Sequence, residues 1–207
     1  MKAFEWQQFL QDQRERHAKV LFTATELANA DGGSTDSIRV SLQRLIARGV
    51  IQRYTDGRYG LPGAVTIEDL VPSLDRAAYV TGMYALYGHR VVAQRPSEIR
   101  CFTNRRHNRS RERTTPLGRI VFVCVTSEIY APPNASIMAP PEQALCDFVY
   151  ECRRQRLPPD TLVTFRNLEC LDRDQLTAVV SRYPKTIATD VARIIRKASG
   201  SALHNKL

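Results

Sequence analysis

The sequence of 207 residues lacks any run of about 18 consecutive apolar residues, the minimum for a membrane-spanning helix. Its first residues, MKAFEWQQFLQDQRERHAK, also lack the apolar stretch of a secretory signal peptide. These two absences argue against the classes of membrane and exported proteins. We therefore expect a cytoplasmic protein without a membrane partner.

Cysteine pairs at the spacing of metal or redox sites are missing as well. The five cysteines form no Cys-x-x-Cys pair, and no histidine stands at ligand spacing from any of them. Cys124 and Cys146 lie in apolar runs, where a free cysteine behaves as a small apolar residue. The sequence therefore predicts reduced, structural thiols, with no metal site and no cofactor.

The common short motifs of catalysis are absent: Gly-x-Ser-x-Gly, the P-loop and His-Glu-x-x-His. Asp172-Arg173-Asp174 matches the metal-binding pair of nucleotidyltransferases, but no Gly-Ser pair stands about a dozen residues before it. Asp172 is better explained as a helix cap. Glu142 and Asp147 lie five residues apart on a predicted helix, off one face, and are expected to support packing or a cap. We predict that the protein is not an enzyme. An RNA-modifying or DNA-cleaving enzyme with metal-dependent activity is the least favoured alternative.

Positive charge, in contrast, is concentrated in one segment. Residues 100–119 hold seven arginines and one glutamate, which accounts for six of the nine net positive charges. Most of the segment lies between two predicted strands, at 98–103 and 119–126, and its sequence predicts a long basic hairpin with a turn at Pro116–Gly118. It could contact nucleic acid, remain a solvated loop, or face an acidic partner protein or that partner's RNA substrate. The candidate patch comprises Arg105, Arg106, His107, Arg109, Arg111 and Arg113.

Residues 23–60 carry the most specific pattern. Thr23 and Glu26 form a capping box before a short helix, and a Gly32-Gly33 turn leads to Ser34, which caps a second helix. The apolar residues of that helix recur at i, i+4, i+7 and i+8: Ile38, Leu42, Leu45 and Ile46. Two short strands around an Asp56-Gly57 turn follow. This order predicts a winged helix-turn-helix.

The side of the second helix away from the apolar stripe carries polar and small residues. Gln43 could form a pair of hydrogen bonds with adenine, and Arg39 or Arg44 could bind guanine or phosphate. Val40 could contact a thymine methyl group. The hairpin could reach phosphates or the minor groove. We favour DNA binding over a winged helix used only for protein contact. The predicted DNA contacts are Thr35, Ser37, Arg39, Val40, Gln43, Arg44, Arg53, Tyr54, Arg58 and Tyr59.

Beyond residue 73 the pattern changes to alternating strands and helices. EIRCFT at 98–103 and RIVFVCVT at 119–126 read as strands, and EQALCDFVYECRRQRL reads as a helix after two prolines. The predicted fold class is α+β. It comprises a winged helix-turn-helix at 1–63, a linker at 64–73 and a mixed α+β domain at 74–207.

The order of motifs in this second part resembles that of the AbiEi-type antitoxins. In that family, a winged helix precedes a segment of the form Tyr-Val-Ser-x-x-Ser-Ala-Leu-x-x-Gly. A strand ending in Thr, a Thr-Pro-x-Gly turn and a helix opening with Ala-x-Pro-Glu-x-Ala-Leu-Leu-Asp follow it. The matching positions here are Tyr79-Val80-Thr81, Ala85-Leu86, Gly88, Thr103, Thr115-Pro116-Leu117-Gly118, Ala139, Pro141-Glu142 and Ala144-Leu145-Cys146-Asp147. The sequence departs from the family pattern at Tyr84 and at Arg90–Arg95.

The resemblance implies the antitoxin of a type IV toxin–antitoxin pair. Such a protein would repress its own operon by binding inverted repeats in double-stranded DNA. It would counteract a nucleotidyltransferase-like toxin without forming a stable complex with it. The alternative is a stand-alone winged-helix transcription regulator whose second domain senses a ligand or mediates oligomerisation.

Overall fold

The computed structural model describes residues 1–108 and 111–204, with the side chains of residues 35, 36 and 199–204 left out of the description. The fold is mixed α+β, as predicted from the sequence. The chain divides into two compact units. The first comprises Met1–Leu74 with Thr114–Leu117, and the second comprises Asp75–Arg113 with Gly118–Leu207.

The first unit contains four helices and a two-stranded hairpin among its described residues. These elements are α1 (Ala3–His17), α2 (Ala24–Asp31), α3 (Thr35–Ala47), β1 (Gln52–Thr55), β2 (Arg58–Gly60) and α4 (Ile67–Leu74). The strands β1 and β2 are antiparallel, with Gln52 opposite Gly60 and Arg53 opposite Tyr59. Phe22, which precedes α2, forms a single antiparallel bridge with Tyr59.

Local hydrogen bonds explain where α2 and α3 begin and end. The hydroxyl of Thr23 accepts from the backbone N–H of Glu26 at 3.1 Å, and the Glu26 carboxylate accepts from the Thr23 N–H at 2.7 Å. This capping box is the one predicted from the sequence. Gly32 ends α2 at a φ of 70°, a conformation that glycine adopts readily. Ser34 caps α3, accepting from the Ser37 N–H at 3.3 Å.

The core of the first unit lies between the three N-terminal helices. It consists of Trp6, Leu10, Phe22, Leu27, Ala28, Ile38, Leu42, Leu45 and Ile51. Three of the four residues in the predicted stripe of α3 are therefore buried. The fourth, Ile46, is 36% exposed, because it lies at the edge of the buried face.

Residues 64–73 differ from the expected linker. The hydroxyl of Thr66 accepts from the Asp69 N–H at 3.3 Å and the Asp69 carboxylate accepts from the Thr66 N–H at 2.9 Å, which caps α4. Ile67, Leu70 and Val71 are buried at helical spacing. The contact boundary of the first unit consequently falls after Leu74, not at residue 63.

The second unit is built around a sheet with the strand order β3-β4-β6-β5, although Thr114 and Thr115 at the end of β5 are assigned to the first unit. The strands are β3 (Tyr79–Thr81), β4 (Glu98–Thr103), β5 (Glu112–Thr115) and β6 (Gly118–Cys124). The helices are α5 (Gly82–Gly88), α6 (Pro141–Arg154), α7 (Pro159–Leu162), α8 (Arg173–Val180) and α9 (Lys185–His204), with a 3₁₀ turn at Leu168–Cys170. The helix α6 packs against α5, α8 and α9, and its residues Ala144, Leu145, Cys146 and Val149 are fully buried.

The central strands β4 and β6 are parallel, with Glu98 opposite Arg119 and Thr103 opposite Cys124. Parallel neighbours cannot be joined by a simple hairpin. The predicted basic hairpin is therefore confined to β5, β6 and the Pro116–Leu117 turn between them. Residues 104–108 instead follow the end of β4, and Arg111 immediately precedes β5. Because β4 and β6 are parallel, residues 104–108 start at the sheet edge where both strands have their carboxyl ends. No described helix is both long and apolar enough to cross a membrane.

Candidate nucleic-acid interface

One face of α3 is buried and the opposite face is open. Ile38 and Leu42 are 1% and 2% exposed, whereas Val40 is 51% exposed. The predicted contact residues Ser37, Arg39, Gln43 and Arg44 are all exposed, as is Ala47. The side chain of Thr35 lies outside the described part of the chain. The face thus presents small and hydrogen-bonding side chains, which can approach base edges closely.

Ser37 has an additional role within the helix. Its hydroxyl donates to the Ser34 carbonyl oxygen at 2.9 Å, and its N–H donates to the Ser34 hydroxyl. The Ser37 side chain is therefore held at the first turn of α3. It can still accept a hydrogen bond from a partner.

The hairpin offers fewer contacts than the sequence predicted. Tyr54 is 1% exposed, and its hydroxyl donates to the Leu61 carbonyl oxygen at 2.8 Å. Successive residues of a strand point to opposite faces, so the exposed Arg53 and the neighbouring Tyr54 cannot both face a partner. Tyr54 belongs to the interior of the unit, and we leave it out of the contact face.

The remaining hairpin residues also interact within the first unit. Arg58 donates to the carbonyl oxygen of Ser73 at 2.9 Å and to that of Gly57 at 3.3 Å. Tyr59 is half-buried against the core, and Arg53 pairs with Asp56. Arg53 is thus the predicted hairpin residue best placed to reach a phosphate.

The arginine segment borders a cavity of about 460 Å³ in the second unit. Arg106, Arg111 and Arg154 line it together with His107, Phe122 and Glu151. Arg105 and Arg113 of the predicted patch do not line the cavity, and Arg109 lies outside the described residues. The segment is therefore not a uniform basic surface, because Arg106 and Arg111 line a cavity together with Arg154 of α6.

His107 is fixed at the edge of this cavity by two contacts. Its ring stacks on Phe122 with centroids 4.5 Å apart, and its Nε2 lies 2.8 Å from the carboxylate of Asp75. The same carboxylate accepts a hydrogen bond from the Thr103 hydroxyl at 2.6 Å. Burial alone would raise the pKa of Asp75, but the bonds from Thr103, His107 and the Ala77 N–H hold this pKa below its ordinary value.

Glu151 is the carboxylate of the cavity lining, and it is already paired. It accepts from Arg100 and, at 3.2 Å, from Gln155. Burial raises the pKa of Glu151, although Arg100 opposes that rise. Arg154 and Arg111 also oppose the rise in this pKa, so the carboxylate lies within reach of three arginines.

A second polar cluster lies inside the unit and was not anticipated. Asp147 on α6 is fully buried and accepts hydrogen bonds from Thr81 at 2.6 Å, Tyr183 at 2.5 Å and Tyr79 at 3.3 Å. Burial raises the pKa of Asp147 to about 7, even though the three hydroxyl donors favour the charged form. A carboxylate within the apolar run ALCDFV was the sequence signal for this cluster.

The remaining acidic residues from the sequence have structural roles. The Asp172 carboxylate caps α8, accepting from the N–H groups of Asp174 and Gln175 at 2.9 Å each. Glu142 accepts from the Asp172 N–H at 2.8 Å. Both contacts agree with the predicted capping and packing roles.

No protein-family model matches this chain, and no curated protein matches it.

Proposed function

We propose that the protein is a transcriptional repressor that binds double-stranded DNA through its first unit. The observation that carries the proposal is the division of α3 into a buried apolar stripe and an exposed face with Gln43 and Arg44. The major groove of B-DNA is about 12 Å wide and admits such a helix. The order of elements, with α2, a glycine turn, α3 and a hairpin, supports docking in the manner of a winged helix-turn-helix.

We further propose that this repressor is the antitoxin of a type IV pair, acting in the cytoplasm. The support is the resemblance of the motif order after residue 75 to AbiEi-type antitoxins. In this proposal the protein binds inverted repeats upstream of its own operon. It opposes a nucleotidyltransferase-like toxin encoded beside it, without a stable complex.

The exposed face of α3 can be tested by substitution. We expect Gln43→Ala and Arg44→Ala each to weaken binding to the upstream DNA by about 1–3 kcal/mol, because each removes a base or phosphate contact. If Arg44 contacts a phosphate, its removal should also reduce the slope of log K against log salt concentration by about one. Fluorescence anisotropy across a salt titration measures both effects.

The matched controls are Gln8→Ala and Arg14→Ala, which remove the same side-chain types from exposed positions on α1. These controls should bind DNA as the wild type does. If Gln43→Ala and Arg44→Ala also retained full affinity, α3 would not be the helix that contacts the DNA.

The antitoxin role is tested by co-expression with the gene next to this one. We expect the full chain to relieve the toxicity of that gene's product. The variant carrying both Gln43→Ala and Arg44→Ala should protect equally well, because the proposal assigns protection to the second unit. A chain that gave no relief would refute the antitoxin role while leaving DNA binding intact.

The cavity favours a second candidate function, a stand-alone regulator whose second unit senses a ligand. Its volume of about 460 Å³ lies in the range of small-molecule sites. A gene neighbourhood without a nucleotidyltransferase would favour this candidate. A ligand that changed the affinity for DNA would also favour it.

A further inference from the structure

Three arginines from two distant parts of the sequence line the cavity of the second unit. Arg106 and Arg111 come from the connection between β4 and β5, and Arg154 comes from the last turn of α6. The guanidinium of Arg154 lies 5.7 Å from the centre of the Tyr150 ring. Like charges placed together repel one another, so such a grouping favours an anionic ligand.

The cavity lining holds one carboxylate, that of Glu151, against three arginines. Within residues 1–108 and 111–204, neither Arg106 nor Arg111 forms an ion pair, and the sole carboxylate of the lining, Glu151, is paired with Arg100. By comparison, Arg119 in the same basic region pairs with Glu98 and Glu112. Positive charge therefore exceeds negative charge in the lining of the cavity.

The remaining lining indicates what kind of anion fits. Arginine forms paired hydrogen bonds with phosphate oxygens, and the amides of Asn108 and Gln155 add further donors beside it. Val123 and the Phe122 ring supply an apolar wall. A volume of about 460 Å³ is larger than a bare phosphate needs and lies within the range for a small organic ligand.

We propose that this cavity binds one nucleotide unit, with its phosphate held by Arg106, Arg111 and Arg154. The unit is either a free nucleotide or one residue of a single-stranded RNA. The binding site is separate from the α3 face, and the proposal stands whether or not the first unit binds operator DNA.

Isothermal titration calorimetry of the full chain tests this proposal with four probes: adenosine 5′-monophosphate, adenosine, inorganic phosphate and a five-residue oligoadenylate. We expect adenosine monophosphate or the oligonucleotide to bind at least about tenfold more tightly than adenosine, because adenosine lacks the phosphate. Binding of the monophosphate identifies a free nucleotide as the ligand. Binding of the oligonucleotide alone identifies a strand.

The decisive variants are Arg106→Gln and Arg105→Gln, which remove the same charge from adjacent exposed positions. Arg106 lines the cavity and Arg105 does not. We expect Arg106→Gln to weaken binding at least about tenfold and Arg105→Gln to change it little. Arg111→Gln should repeat the effect of Arg106→Gln, and thermal unfolding should show that all three variants are folded.

Three outcomes would overturn the proposal: equal binding of adenosine and its monophosphate, no binding of any phosphate probe, or equal losses in Arg105→Gln and Arg106→Gln. The last result would mean that general surface charge attracts the anion. DNA binding measured on the same variants keeps the two proposals apart, because Arg106→Gln should leave the operator affinity unchanged.

Discussion

Replacement of Asp147 by asparagine is expected to remove a large part of the pH dependence of stability in the second unit. Burial raises the pKa of Asp147 from 3.8 to about 7. The folded state therefore keeps a proton at pH values where the unfolded chain has lost it. The stabilisation from this proton is complete below pH 4 and disappears as the pH rises through 7, a change of about 4 kcal/mol.

Urea unfolding at several pH values between 4 and 8, followed by far-ultraviolet circular dichroism, measures this effect. The free energy of unfolding of the wild type should fall relative to that of Asp147→Asn as the pH rises. A constant difference between the two proteins would reflect altered hydrogen bonds alone and would contradict the raised pKa. Asp174→Asn, which changes an exposed carboxylate on α8, is the matched control and should follow the wild type.

Gly60→Ala is expected to destabilise the first unit by about 3 kcal/mol. A Cβ atom at Gly60 would overlap the backbone oxygen of Val20 and approach Cγ2 of Val65 to 3.0 Å. Because the first of these contacts is to backbone, a side-chain rotation cannot relieve it. The hairpin would have to move away from the residues that precede α2.

Trp6 makes this prediction measurable, since it is the only tryptophan and is buried in the core of the first unit. Its fluorescence during urea unfolding reports on that unit. Gly57→Ala is the control in the same hairpin: Gly57 has a φ of 69° and open space around it, so the change should cost about 1 kcal/mol. Equal destabilisation by the two substitutions would contradict the role assigned to close packing at Gly60.

Local signals in the sequence sufficed for many of the elements. Thr23 with Glu26 and Ser34 marked the starts of α2 and α3, because capping is a contact between residues three apart. Thr66 and Asp69 carry the same kind of signal, and they cap α4 in the segment expected to be a linker. The parallel pairing of β4 with β6 had no local signal, because strand order depends on contacts between distant residues.

The candidate sites show the same limit. Helical periodicity predicted the exposed face of α3, since one turn of sequence determines which side chains face outward. It could not show that Tyr54 fills the interior or that Arg58 donates to Ser73. His107 contacts Asp75, and Arg106 lines the same cavity as Arg154 of α6, and both pairings arise only through the tertiary fold.

The two edges of the four-stranded sheet are formed by strands that are poorly suited to pairing with another molecule. At one margin, β5 has only four residues and carries Glu112 and Arg113. At the other, the backbone of Val80 in β3 bonds to Ile137 and Ala139, and Pro140 and Pro141 follow immediately. Short charged strands and prolines disfavour the addition of a strand from another molecule. We therefore expect neither edge of this sheet to pair readily with a strand of a second molecule.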